Sequence, residues 1–141
     1  MRIAVTATAP SLDAEIDPRF GRCAYFLIVE TDDMSFEAAQ NENAMLGGGA
    51  GIQSSQLVAE KGVKAVLTGN CGPNAFQALS AASIQIIVGV SGTVRDAVER
   101  FKAGTLKATA QPNVQSHFGM GGGRGMGRGM GRGMGRGPGR R

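Results

Sequence analysis

The stretch Ala65-Val66-Leu67-Thr68-Gly69-Asn70-Cys71-Gly72-Pro73-Asn74-Ala75-Phe76 leaves few folds open. An apolar run of strand length ends at Leu67, a turn with two glycines and a cysteine follows, and a helical pattern begins at Pro73. Proline suits the first turn of a helix, where its missing N–H would have no intrahelical partner. Gly69 and Gly72 let the backbone turn tightly and approach another group closely. A strand–turn–helix of this kind aims several N–H groups and the positive end of a helix dipole at one spot, which favours an anion. Cys71 stands beside that spot. The same residues also read as an ordinary βα turn with a small buried cysteine, so the turn alone does not establish a site.

The rest of the chain repeats this grammar. Ile3-Ala4-Val5 is a short, wholly apolar strand, as expected of one buried on both faces. Residues 8–22 hold Pro10, Pro18, Gly21 and several acids and read as a long loop. Ala24 to Val29 is aromatic and β-branched, the strongest strand signal present. After the turn Thr31-Asp32-Asp33, a weaker strand from Ser35 to Gln40 completes a hairpin at the antiparallel edge. A glycine loop, 47–51, leads into a helix ending near Lys61, with Gly62 placed just past its end. A helix over 73–83 follows the strand 65–67, and Ile84 to Val88 is another buried strand. Val94, Ala97, Val98 and Phe101 give the last helix its apolar face, with Ser91 or Thr93 to cap it and Gly104 to end it.

Strands alternating with helices imply parallel crossovers with helices on the sheet faces. The expected fold is therefore α/β: a five-stranded mixed sheet, in spatial order 3-2-1-4-5 when strands are numbered along the chain, with three helices. Loops 8–23, 68–74 and 89–93 then converge beyond the carboxyl ends of the parallel strands, where such proteins bind ligands. Arg19-Phe20-Gly21-Arg22-Cys23 and Gly69-Asn70-Cys71-Gly72-Pro73-Asn74 meet at that rim. They offer two guanidiniums, two thiols and a helix start. Cations and helix N-termini lower a thiol's pKa, which would make Cys23 and Cys71 candidate ligands for soft metals. The competing reading pairs Arg19 and Arg22 with Asp13, Glu15 or Asp17 and packs both cysteines as small hydrophobes.

Charge is divided unevenly along the 141 residues. Residues 1–118 carry nine Lys/Arg and all eleven Asp/Glu, whereas 119–141 carry six Arg, no acid and twelve of the 23 glycines. The expected division is a folded domain over 1–110, long enough for a modest core, and a flexible tail over 111–141. That tail repeats Gly-Arg-Gly-Met, a composition unable to bury a core and so expected to be disordered. No apolar run approaches the length of a membrane span, MRIAVTATAP is too short in its apolar part for a secretory signal, and two cysteines do not make a disulfide framework. A cytoplasmic, reduced setting is the expectation.

Catalytic classes fit poorly, and a non-enzymatic role is expected. The one histidine, His117, stands at the start of the tail, so no His-based triad can form in the core. The glycine loop lacks the Gly-Lys-Ser/Thr ending of a phosphate loop, and the dinucleotide pattern fails at Ser54. No carboxylate pair stands out.

Residues 1–107 resemble the dinitrogenase iron-molybdenum cofactor biosynthesis family. The likeness is carried by Met1 to Val5, by Asp17-Pro18-Arg19-Phe20-Gly21-Arg22-Cys23-Ala24-Tyr25-Phe26, by Gly62 to Gly72, by Asn70 to Phe76 and Leu79, and by Val94 to Phe101 with Gly104 and Leu106. The Phe-Gly-Arg motif is specific at this position. Among its members the chain looks most like small stand-alone proteins of the orange-protein type. The resemblance implies a ribonuclease H-like fold without that fold's nuclease carboxylates. It also implies an anionic metal–sulfide cluster containing molybdenum with iron or copper, carried or assembled with the help of a protein partner. Arg19, Phe20, Gly21 and Arg22 would shape the cluster pocket, and Gly69, Asn70, Gly72 and Asn74 its backbone floor, with Cys23 and Cys71 as possible metal ligands. Two other functions stay open. The Arg-Gly tail could bind nucleic acid through phosphates, and the helix starts could serve a phosphate- or nucleotide-binding regulatory domain. For the tail itself, Cu(I) on the methionine thioethers is a further reading.

Overall fold

Five consecutive buried residues, Ile3 to Ala7, force the first strand into the middle of the sheet, since only a strand covered on both faces and paired on both edges hides them all. The structure, a computed structural model, describes residues 1–42, 49–110 and 112–113. In chain order the elements are β1 (Arg2–Ala7), β2 (Tyr25–Glu30), β3 (Phe36–Gln40), α1 (Ala50–Glu60), β4 (Ala65–Leu67), α2 (Pro73–Ala81), β5 (Gln85–Ile87) and α3 (Val94–Lys102). The sheet runs β3-β2-β1-β4-β5. β1 pairs antiparallel with β2 and parallel with β4, β2 antiparallel with β3, and β4 parallel with β5. The mixed five-stranded sheet in the expected order, with three helices, is therefore present.

Alternate side chains divide the core in two. Ile3, Val5, Leu27, Val29, Leu67 and Ile87 pack with Val94, Ala97 and Val98 of α3 on one face. Ala4, Phe26, Ile28, Val66 and Ile86 pack with Val58 of α1 and Leu79 of α2 on the other. The period-2 alternation of strands produces this split directly. β3 covers little, since all its residues but Ala39 are exposed. Thr93 caps α3, its side-chain oxygen accepting the Asp96 N–H at 3.2 Å.

The loop after β1 is more ordered than a run of prolines and acids suggests. It is stitched to the body by single bridges between Ala7 and Ile16, Glu15 and Thr93, and Arg19 and Asn70. Leu12 and Ile16 are buried in the α3-side core. The glycine loop's residues 47 and 48, His117 and the Gly-Arg-Gly-Met repeat lie outside the described residues. Among the described residues no helix is long and apolar enough to cross a membrane.

Candidate functional site

Asp17 organises the loop that carries Phe-Gly-Arg. It is buried, and its carboxylate accepts the N–H of Arg19 at 3.1 Å and that of Ala24 at 3.3 Å, closing the loop on itself. The Asp17 backbone is tied to β1, its N–H donating to the Thr6 carbonyl at 3.0 Å and its carbonyl accepting the Thr6 hydroxyl at 2.6 Å. The Thr6 and Thr68 hydroxyls lie 2.9 Å apart, linking this arrangement to the end of β4. The Arg19 Nε sits 3.4 Å from the same Asp17 carboxylate, yet the guanidinium remains partly exposed. Asp13 pairs with Arg95 instead. The competing sequence reading thus holds for Arg19 with Asp17 and leaves its head at the surface.

Phe20 is drawn inward from the loop. Its ring is buried edge-to-face on Phe26, centroids 5.4 Å apart, and so anchors the loop in the core. The Phe20 N–H reaches the Asn70 carbonyl at 3.3 Å, which lays the Arg19–Cys23 loop beside the Gly69–Gly72 turn as the sequence predicts. Gly69 permits that contact, and Gly21 permits a second one with the start of α1. A Cβ on Gly69 would stand 2.8 Å from the Pro18 Cα, and one on Gly21 would stand 2.9 Å from the Gly51 nitrogen. The loop 89–93 joins the same rim, through Gly89 N–H to the Gly69 carbonyl at 2.8 Å and Ile16 N–H to the Gly92 carbonyl at 2.9 Å.

Gly21 also places the start of α1. Gly51 lies against Gly21 on one side, and a Cβ there would be 3.1 Å from that of Ala75 in the first turn of α2. The first turns of α1 and α2 are therefore neighbours. Both N-cap positions, Gly49 and Gly72, are glycine, so neither brings a capping side chain. The first turn of a helix holds N–H groups without intrahelical partners, and its partial positive charge favours anions. Two such ends side by side, beside Arg19 and Arg22, make a donor-rich, cationic rim.

The thiols depart from expectation. The sequence places them where cations and a helix start would lower their pKa, but both are buried, Cys23 completely. Burial pushes the Cys71 thiol up to about 12. Cys23 is pushed up by burial and, secondarily, by the Asp17 carboxylate. Desolvation of a thiolate outweighs the nearby positive charge. The Cys23 Sγ donates to the Phe20 carbonyl at 3.3 Å. Among the described residues no group of three or more His, Cys, Asp or Glu could hold a metal ion.

Sequence reasoning missed two asparagines. Asn41, buried after β3, donates through Nδ2 to the carbonyls of Gly21 at 3.1 Å and Cys23 at 2.9 Å. Asn113 lies in the stretch assigned to the tail, yet its Oδ1 accepts the Cys71 N–H at 2.8 Å. Neither sits in a recognisable local pattern, since each acts on a loop far away in sequence.

The chain is similar to several known proteins. The family model described as dinitrogenase iron-molybdenum cofactor matches residues 1–104. The apo form of the orange protein from Desulfovibrio gigas is 46% identical, with a TM-score of 0.78, over 80% of this chain and 96% of that one. A Thermotoga protein solved by NMR as a candidate NifB protein is 30% identical, with a TM-score of 0.65, over 76% of this chain and 91% of that one. An uncharacterized protein of Methanocaldococcus jannaschii is 30% identical over 95 residues, 65% of this chain and 80% of that one.

Proposed function

Since the chain belongs to the dinitrogenase iron-molybdenum cofactor family, we propose that its rim receives an anionic metal–sulfide cluster as cargo, and that the protein carries or helps assemble this cluster without catalysing a reaction. The observation that carries this reading is the pairing of two glycine-capped helix starts against the Arg19–Cys23 loop. Such an arrangement stabilises negative charge through N–H groups and guanidiniums. A sulfide cluster of molybdenum with iron or copper is a large, diffuse anion and suits that donor set. Arg19 and Arg22 supply positive charge, Gly69 to Asn74 the backbone floor, and Phe20 and Asp17 hold the loop in place. Cys23 and Cys71 stay protonated at neutral pH and keep the floor packed; the cluster is held by charge and hydrogen bonds. Delivery to or from a protein partner follows from a cargo held without covalent bonds.

The test is anaerobic reconstitution of the full chain with tetrathiomolybdate and copper or iron salts. The expected result is a stable sulfide-to-metal charge-transfer band with stoichiometric metal after desalting. Arg19→Gln with Arg22→Gln should lower the bound metal severalfold, while Cys23→Ala and Cys71→Ala should retain colour. Absence of bound metal in the wild-type chain would overturn the carrier reading. Loss of colour in the cysteine variants, with folding intact, would make the thiols ligands after all.

A further inference from the structure

The family match ends at residue 104, yet the fold continues past it. Gly104, at a φ of +79°, turns the chain, and the Thr105 N–H donates back to the Arg100 carbonyl at 3.1 Å. Leu106 packs on the α3-side core. Beside β5 the Thr109 N–H donates to the Ile86 carbonyl at 2.6 Å, and the Thr109 hydroxyl accepts the Val88 N–H at 3.1 Å. These contacts serve the sheet edge. Asn113 serves the turn between β4 and α2. Its Oδ1 accepts the Cys71 N–H at 2.8 Å, and its own N–H donates to the Cys71 carbonyl at 3.1 Å. Its Nδ2 donates to the Gly69 carbonyl at 3.3 Å and to the Asn70 Oδ1 at 3.0 Å. One residue thus holds three consecutive members of that turn.

Those bonds complete a pattern. From Thr68 to Gly72 five consecutive carbonyls each accept an N–H: Thr68 from Val90 at 3.1 Å, Gly69 from Gly89 at 2.8 Å, Asn70 from Phe20 at 3.3 Å, Cys71 from Asn113 at 3.1 Å and Gly72 from Phe76 at 2.9 Å. A bare carbonyl oxygen repels a nearby anion, whereas one engaged by a donor presents less negative potential. An anion site built on a turn therefore needs its acceptors occupied as well as its donors aimed. Four of the five donors lie within residues 1–104, and Asn113 supplies the fifth. Through Nδ2 it also occupies the Asn70 side-chain oxygen. We propose that Asn113 is a positioning residue for the anion site: it fixes the Gly69–Cys71 backbone with its acceptors engaged, and so sets the start of α2 for the ligand. The proposal rests on the cargo reading above and adds to it a residue outside the family match. Because the Cys71 N–H is spent on Asn113, the ligand relies on the first turn of α2 and on the guanidiniums of Arg19 and Arg22. A turn fixed in advance need not be ordered on binding, and that saving is the source of the residue's effect on affinity.

The experiment measures tetrathiomolybdate binding to full-length chains by anaerobic titration at several salt concentrations, beside urea midpoints of the same chains. Asn113→Ala should weaken binding about tenfold, the loss expected when hydrogen bonds of ordinary strength no longer fix the turn. In the metal-free chain the same substitution should speed exchange of the Cys71 amide. Asn113→Asp keeps the acceptor for the Cys71 N–H but sets a carboxylate against the Gly69 carbonyl and the Asn70 Oδ1. It should weaken binding further than alanine does, by a margin that shrinks as salt rises. Thr109→Val removes the Val88 contact and leaves Asn113 in place, so it should lower the urea midpoint with binding unchanged. Equal binding by the wild type and Asn113→Ala would overturn the assignment. Tighter binding by Asn113→Ala would overturn it too, since Asn113 would then occupy the ligand's place. So would equal weakening by Thr109→Val, because the loss would then follow general stability and not the turn. Where Asn113→Ala fails to fold, the salt-dependent deficit of Asn113→Asp carries the comparison, and its absence overturns the assignment. No binding by the wild type would instead remove the cargo reading, a failure told apart from the others by the wild-type titration alone.

Discussion

Cys71 illustrates how a single side chain responds to its surroundings. Burial raises its thiol from the ordinary 9.0 to about 12, so the folded state holds the proton more tightly than the unfolded chain. The sign follows from linkage: with the folded pKa raised, the contribution is complete below pH 9 and is lost as pH climbs from about 9 towards 12. Each such thiol costs about 1.4 kcal/mol of stability per pH unit in that window, and Cys23, raised by the same burial, adds to the slope. Urea midpoints measured between pH 7 and 10.5 should be flat to about 9 and then fall, and a Cys23→Ala, Cys71→Ala chain should show a shallower fall. A wild-type curve flat to pH 10.5 would show the thiols ionising freely. This outcome also marks what was legible at residue scale. The rim residues Arg19 to Cys23 and Gly69 to Asn74 could be picked from residue type and turn position. The protonation of the cysteines could not, because it depends on packing from Val58, Leu79 and Phe26 that no local pattern records.

At the scale of elements, periodicity and caps were enough to find every strand and helix, with ends differing by a few residues. α3 is the clearest case. Its apolar stripe, its Thr93 cap and Gly104 at positive φ all point the same way. Thr93→Ala should cost about 1 kcal/mol, the usual worth of a capping hydroxyl, read as a shift of the urea midpoint without a change in its slope. Metal loading should be unaffected, since α3 lies on the face away from α1 and α2. An equal loss of loading would tie the cap to the site through the Glu15–Thr93 bridge. What periodicity misses is the loop order imposed by Asp17, Asn41 and Asn113. Each satisfies backbone groups contributed by segments remote in sequence, and single-residue hydrogen bonds of that kind leave no repeat to read.

Over the whole molecule, stability should be graded outward from β1. Its residues Ile3 to Val5 are paired to β2 on one side and β4 on the other, whereas β3 is paired on one side and exposed. Native-state amide exchange should therefore be slowest in β1 and fastest, among the strands, in β3. Protection of β3 equal to that of β1 would mean that its edge is covered in solution. The two-faced core has a further consequence. Phe20, Cys23, Cys71 and Ala75 all pack on the α1–α2 side, and none on the side of α3. The packing beneath Phe20 and the two cysteines is thus shared with α1 and α2 and not with α3. Substitutions on the α3 side can therefore shift the stability of the sheet while leaving that packing in place, because sites without shared partners act nearly independently.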